Sequence, residues 1–271
     1  MTQDKVSHLP TPEYIDDHYR GSGKLQGQRV LISGGDSGIG RAVAQHMARE
    51  GAKVAIIYHS AKDKAEDTRR AIIAEDTEAL VIQGDTASSA DCDAAVQAVI
   101  DAWGGIDVLV NNAGFQKPYA SLEEVSDDDW RAHFDVNMAG MFYLSRAALR
   151  HMTRGAAIVN TTSINAFVGN DALLPYSATK GAISTFTRSL AKQYMDQGIR
   201  VNEVAPGPVA TDIQEVFEDF DEDILRNMAA PIGRVGHPRE IAPAYIFLAS
   251  RDASFVTGQT IHVNGGMIVG A

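Results

Sequence analysis

Apolar residues along this chain fall into short blocks separated by segments of helical periodicity, and glycine or proline punctuates most of the changeovers. Arg29–Ser33 is an apolar run stopped by glycines, which predicts a strand buried on both faces. Ile39, Val43 and Met47 then recur at helical spacing, and Gly51 closes a helix predicted over Ile39–Glu50. The alternation continues with a strand at Lys53–Tyr58, a charged helix at Ala61–Ala74, a strand at Ala79–Gln83, and a helix at Ser88–Trp103 opened by capping serines. A strand at Asp107–Val110 precedes a long helix from Asp127 to Met152, and a strand at Ala156–Thr161 precedes a helix at Pro175–Gln197 with proline well placed at its start. A strand at Ile199–Val204, an acidic stretch from Thr211 to Met228, a helix at Arg239–Ser250 and a last strand near Thr260–Val263 complete the chain.

Strands alternating with helices over the whole length predict an α/β fold, a doubly wound, seven-stranded parallel sheet with helices on both faces. No linker or repeat interrupts the pattern, so residues 25–271 read as one domain preceded by an extension, residues 1–24. Tyr14, Ile15 and Tyr19 give that extension apolar surface to pack, on a neighbouring subunit or as part of a loose tail.

Composition narrows the partners. A hydrophobic fraction of 45% and a charged fraction of 22% over 271 residues are those of an ordinary globular protein with a full core. The net charge of -11 argues against a nucleic-acid partner, because phosphate neutralisation needs a basic surface, and favours a small-molecule ligand. Cys92 is the only cysteine, which excludes an intrachain disulfide and a cysteine-rich metal site and leaves it as a small apolar filler on a helix; no metal is expected. No apolar run approaches the ~20 residues that span a bilayer, and the polar first segment lacks a signal-peptide core, so no membrane partner and a cytoplasmic location are expected.

The candidate chemistry follows the predicted strands. After the first lies Ser33-Gly34-Gly35-Asp36-Ser37-Gly38-Ile39-Gly40, where glycines permit the turn and the helix N-terminus favours the negative charge of a pyrophosphate. Its spacing differs from the G-x-G-x-x-G fingerprint, and a tight turn without a ligand is the competing reading. After the second strand stand Tyr58, His59 and Ser60; after the third, Asp85 and Thr86, with a carboxylate that could meet an adenine edge; after the fourth, Asn112, Ala113 and Gly114, a backbone stripped of bulk. All sit at the C-terminal ends of strands, where ligands bind in such sheets. Tyr176 and Lys180, four residues apart on one helix, share a face. A free phenol titrates near pH ~10, and an adjacent ammonium favours the phenolate. Ser163, taken alone, is an ordinary turn former after a strand.

Gly34-xxx-Gly38-Ile39-Gly40, Asn111-Asn112-Ala113-Gly114, Asn137, Ser163, Tyr176-xxx-Lys180 and Pro206-Gly207, in this order, resemble the short-chain dehydrogenase/reductase family from about Leu25 to the end. The extension and the Gly-Gly-Asp-Ser-Gly-Ile-Gly loop resemble its bacterial glucose/ribitol dehydrogenase-like branch. The resemblance implies a Rossmann-type fold and an NAD(P)-dependent oxidoreductase that interconverts an alcohol and a carbonyl on a sugar, polyol, aldehyde or ketone. It implies that Ser163 bonds the substrate oxygen, Tyr176 is the general acid or base, and Lys180 lowers the tyrosine pKa and bonds the nicotinamide ribose. Asn137 would kink the long helix and hold a water that links Lys180 to solvent. Dinucleotide contacts are implied at Gly34, Asp36, Ser37, Gly38, Ile39, Gly40, Tyr58, His59, Ser60, Asp85, Thr86, Asn112, Ala113, Gly114, Tyr176 and Lys180, with Pro206, Gly207 and Val209 at the carboxamide and Thr211 near the phosphates. On the substrate side stand Ser163, Asn165 and Tyr176, together with Phe167, Phe217 and Phe220 as contacts or lid packing, while the acids around the last two read as a solvated face.

The cofactor is expected to be NADP, with NAD as the alternative: no acid follows the second strand to bond ribose hydroxyls and repel a 2′-phosphate, and Arg41, Lys62 and Lys64 are candidate phosphate donors. A homotetramer is implied through the helices at Asp127–Met152 and Pro175–Gln197 and the C-terminal segment. Two competing functions are an acyl-chain ketoreductase and a non-catalytic nucleotide-binding sensor; the full Ser163, Tyr176, Lys180 and Asn137 set argues against the second.

Overall fold

Seven strands pair in parallel in the order β3-β2-β1-β4-β5-β6-β7: β1 Arg29–Ser33, β2 Lys53–Tyr58, β3 Ala79–Gln83, β4 Val108–Asn111, β5 Ala157–Thr161, β6 Arg200–Pro206 and β7 Thr260–Val263. The computed structural model describes residues 9–216 and 229–269; Phe217, Phe220 and the acids from Glu218 to Asp223 lie outside the described residues. The helices are α1 Gly38–Arg49, α2 Lys62–Ile73, α3 Ser89–Trp103, α4 Asp127–Phe134, α5 Gly140–Leu149, α6 Asn165–Val168, α7 Leu174–Tyr194 and α8 Pro238–Ala249. The short α6 has no signal in the apolar spacing.

Side-chain alternation along each strand divides the core. Val30 and Ile32, Val54 and Ile56, Val108 and Val110 pack with α1, α2 and α8. Leu31, Ala55 and Leu109 pack with α3, α5 and α7 on the opposite face. Burial on both faces is why these strands read as unbroken apolar runs. Cys92 sits buried in the second cluster, as its bland reading had it.

The long helix expected from Asp127 to Met152 is interrupted by a π-helical turn at Asp135–Ala139, between α4 and α5. Such turns are rare and concentrate at functional sites, and this one carries Asn137.

The described part of the extension lies on its own subunit. Glu50, 1% exposed at the end of α1, accepts hydrogen bonds from Tyr19 Oη (2.5 Å), Ser22 N (2.9 Å) and Lys24 N (3.0 Å). The Tyr19 ring meets His46 at a tilt of 60°, centroids 4.7 Å apart, and a Cβ on Gly21 would stand 1.9 Å from Arg49 O, so the strap presses directly on the helix end. Upstream, Glu13 bonds the Arg239 backbone N–H (3.0 Å) and its guanidinium (2.5 Å), which fastens the strap to the start of α8. Burial pushes the Glu50 pKa up, but the hydrogen bonds from Tyr19, Lys24 and Ser22 outweigh it, and the carboxyl is held below its ordinary range. A depressed carboxyl contributes stability above its unfolded value, about pH 4.3, and that contribution is lost as pH falls through the folded value.

Glu50→Ala removes one carboxylate and leaves several donors unpaired, so a loss of about 2–3 kcal/mol is expected. Thermal unfolding measures it, and limited proteolysis read by mass spectrometry should show faster cutting between residues 14 and 22. Unchanged cutting would mean that Glu50 does not hold the strap.

Candidate active site

At their C-terminal ends β1 and β4, adjacent in the sheet, lead in opposite directions, and the crevice there is the usual ligand site of such folds. A cleft of about 940 Å³ opens at this point. Among the described residues, those expected from the motifs to contact cofactor or substrate line it except Gly40 and Phe167, and Asn137 of the expected relay does not line it either.

Ser33 and Asn112 tie the glycine loop to β4. Ser33 Oγ accepts from Asn112 N (3.0 Å) and Ala113 N (3.1 Å), and Asn112 Nδ2 donates to Gly34 O (3.1 Å). Gly34 has φ +63, and a Cβ on it would lie 3.0 Å from Ala113 Cα. Gly40, expected as a cofactor contact, instead sits beneath the loop: a Cβ there would come within 2.0 Å of Gly34 O and 2.6 Å of Asn112 Nδ2. Its role is the close approach of helix to loop.

After β3, Asp85 Oδ1 accepts from Ala87 N (2.9 Å), and the Cys92 thiol, pushed up to about 12 by burial, donates to Thr86 O (3.4 Å). Burial raises the Asp36 carboxyl. Two of the candidate phosphate donors have partners in the protein: Lys64 Nζ pairs with Asp212 at 2.5 Å, and the Arg41 guanidinium lies 4.4 Å from the Tyr14 ring centroid.

Ser163 follows β5, Tyr176 and Lys180 sit in the first turns of α7, and Pro175 helps start that helix. Ser163 Oγ accepts from Asn165 N at 3.2 Å. Lys180, 2% exposed, donates from Nζ to Thr161 O at 2.9 Å, and burial pushes its pKa down to about 8. The half-buried Tyr176 goes the other way: burial pushes its phenol up to about 12, with a hydrogen bond to Ser163 opposing. The net shift is upward, opposite to the one expected from helical spacing, because burial dominates; the ammonium lies over the ring, 5.3 Å from its centroid, and is bonded to Thr161 O.

Asn137 is 1% exposed, and its side chain is a brace. Its Oδ1 accepts from Phe115 N (2.6 Å), and Nδ2 donates to Phe115 O (2.9 Å) and Thr179 Oγ1 (3.0 Å). Thr179 Oγ1 in turn donates to Tyr176 O (2.7 Å), so the brace joins the loop after β4 to the helical turn that carries the phenol. Gly114 lies between: a Cβ there would stand 3.6 Å from Asn137 Oδ1 and 3.7 Å from Lys180 Nζ.

Several cleft residues have no motif to announce them. Gln116, 3% exposed, donates to Ile213 O (2.8 Å) and so ties the β4 loop to the segment after β6. Asn170, Asp171 and Gln214 join Asn165 in lining the cleft. Phe167 does not line the cleft; its ring meets His262 edge-on at 4.7 Å.

A family model described as Enoyl-(Acyl carrier protein) reductase matches residues 34–268. The chain is 46% identical to the uncharacterized oxidoreductase YhdF of Bacillus subtilis over 269 residues, covering 98% of this chain and 92% of that one. It is 44% identical to the glucose and ribitol dehydrogenase of Daucus carota, covering 99% of this chain and 95% of that protein. A crystal structure of a short-chain dehydrogenase from Burkholderia cenocepacia in complex with NADP superposes with a TM-score of 0.84 at 35% identity, covering 90% of this chain and 98% of that one. With this sheet order, this glycine loop and matches that run nearly end to end, the chain belongs to the short-chain dehydrogenase/reductase family of oxidoreductases.

Proposed function

We propose that the protein is an NADP-dependent oxidoreductase that interconverts a CH–OH group and a carbonyl on a small polyhydroxylated substrate, a sugar or polyol or the corresponding aldehyde or ketone. One observation carries the reading: a hydroxyl pair, Ser163 and Tyr176, faces a cleft with a buried ammonium, Lys180, behind it.

The chain's own residues fit a dinucleotide. The glycine loop opens onto the cleft at the start of α1, a helix N-terminus suited to phosphate, and a Cβ on Gly34 or Gly38 would press on Ala113 or Thr211 of the cleft wall. NADP over NAD is supported by the absence of a carboxylate at Tyr58, His59 and Ser60 and by the cofactor of the Burkholderia relative. When bound, the nicotinamide supplies a hydride in reduction and accepts one in oxidation.

Ser163 donates a hydrogen bond to the substrate oxygen. Tyr176 gives its proton to that oxygen as negative charge develops in reduction and withdraws it in oxidation. A phenol pushed up to about 12 holds its proton at neutral pH, which suits the acid role. Lys180 supplies the positive charge beside the phenolate that remains, and Asn137 keeps the turn bearing Tyr176 in register with the β4 loop. Lys180 loses its charge as pH rises through about 8, so kcat/KM for reduction should fall above that value. Tyr176 contributes no limb near neutrality.

The substrate side supports a polyol over an acyl chain. Asn165, Asn170, Gln214 and the Asp171 carboxylate offer donors and acceptors to hydroxyl groups, where an acyl chain would need apolar walls. A panel of sugars, polyols, aldehydes, ketones and acyl thioesters, followed by nicotinamide absorbance with NADP(H) and NAD(H) in parallel, should give turnover on the hydroxylated compounds with NADP(H). Turnover confined to the thioesters would favour the acyl reading.

Tyr176→Phe should lower kcat by roughly 10²–10⁴-fold, the usual worth of a positioned general acid. NADP affinity, measured by fluorescence titration, should hold within about threefold, since only a hydroxyl is removed. Activity equal to the wild type would rule Tyr176 out as the acid.

A further inference from the structure

Behind Lys180 the seam between the sheet and α7 is polar. Asn160 Nδ2 donates to Thr187 Oγ1 (2.8 Å) and Thr162 Oγ1 to Lys180 O (2.9 Å), so these two β5 side chains face α7. Glu203 of β6 lies directly opposite Asn160 in the parallel register, Thr260 of β7 lies opposite Glu203, and His262 is two residues further along β7. Directly paired positions share a face, as do positions two apart, so Glu203, Thr260 and His262 point into the same seam.

Glu203 is 1% exposed. Its Oε1 accepts from Thr260 Oγ1 at 2.6 Å, while Oε2 has no hydrogen-bond partner; the nearby His262 Nδ1, also buried, has none. A buried carboxylate with an unpaired oxygen costs stability that an apolar side chain of the same size would not. The groups whose charge can answer it are Lys180 from α7 and His262 from β7, and its field favours the protonated form of both. Tyr176 adjoins Lys180 on α7, β5 presents only the uncharged Asn160 and Thr162, and Tyr245 of α8 bonds Thr161 Oγ1 (2.7 Å).

We propose that Glu203 is a positioning residue for the reaction: a buried counter-charge that keeps Lys180 protonated where the enzyme works, at a cost in fold stability. The inference rests on the role given to Lys180 above. It assigns Glu203 no contact with substrate or cofactor.

The test is the pH profile of kcat/KM for carbonyl reduction with NADPH, for the whole chain carrying Glu203→Gln, Glu203→Met or Glu203→Asp. Removing the charge should move the alkaline limb acidward by about one unit, roughly a fivefold loss at pH 8 that approaches tenfold above pH 9, with activity near pH 6 within about twofold of wild type. Met, apolar and of similar volume, should show the same shift without a lower thermal midpoint, and it decides the matter if Gln unfolds. Asp keeps the charge, so its limb should stay within about 0.3 unit of the wild type. An unmoved limb in folded Gln or Met, or an Asp limb displaced as far as theirs, overturns the assignment. Tyr176→Phe run alongside separates the two readings: if it is as active as wild type the oxidoreductase site itself is misread, whereas an inactive Tyr176→Phe with an unmoved Glu203→Gln limb removes only Glu203.

Discussion

The burial of one ammonium organises the active site. Lys180 is taken out of water almost completely, and a charge so placed must find compensation close at hand. It finds a strand carbonyl at Thr161, the face of the Tyr176 ring, and the field of a carboxylate one strand over. The carbonyl is available because Thr161 is the last residue of β5, where the sheet ends and the cleft begins. The same desolvation that draws the lysine toward neutrality keeps the phenol protonated, so one physical cause sets both groups in opposite directions.

Around that charge the protein removes freedom. Asn137 reaches from a π-helical turn to the Phe115 backbone and to Thr179, and Ser33 and Asn112 knot the glycine loop to β4. These contacts cross between elements far apart in sequence, and all but the one to Thr179 Oγ1 end on a backbone group. The result is that the glycine loop and the turn bearing Tyr176 are joined through the end of a single strand, β4.

Much of this was readable before any coordinates. Strands buried on both faces announce themselves as apolar runs, and Gly34, Gly38, Ser163, Tyr176 and Lys180 stand at spacings that few other demands would produce. What could not be read was set by neighbours distant in the chain. Helical spacing puts a lysine near a tyrosine but does not say that the ammonium meets the ring instead of the hydroxyl. Gly40 belongs to the glycine pattern, yet only packing shows that it is where α1 meets the loop. Gln116, Asn170 and Phe167 lie in connections without periodicity, so nothing local says which faces the cleft and which faces His262. Glu203 sits in an otherwise ordinary strand, and its isolation emerges only from the register with β5 and β7.

The strap that holds the far end of α1 has a thermodynamic corollary. The first turn of α1 forms part of the glycine loop, and its last residues are clamped by Glu50 to a segment that is also fastened to α8. Any coupling between occupancy at one end of the helix and attachment at the other must run both ways. By reciprocity, whatever the strap adds to nucleotide affinity, the nucleotide adds in equal measure to the strap's hold on the domain.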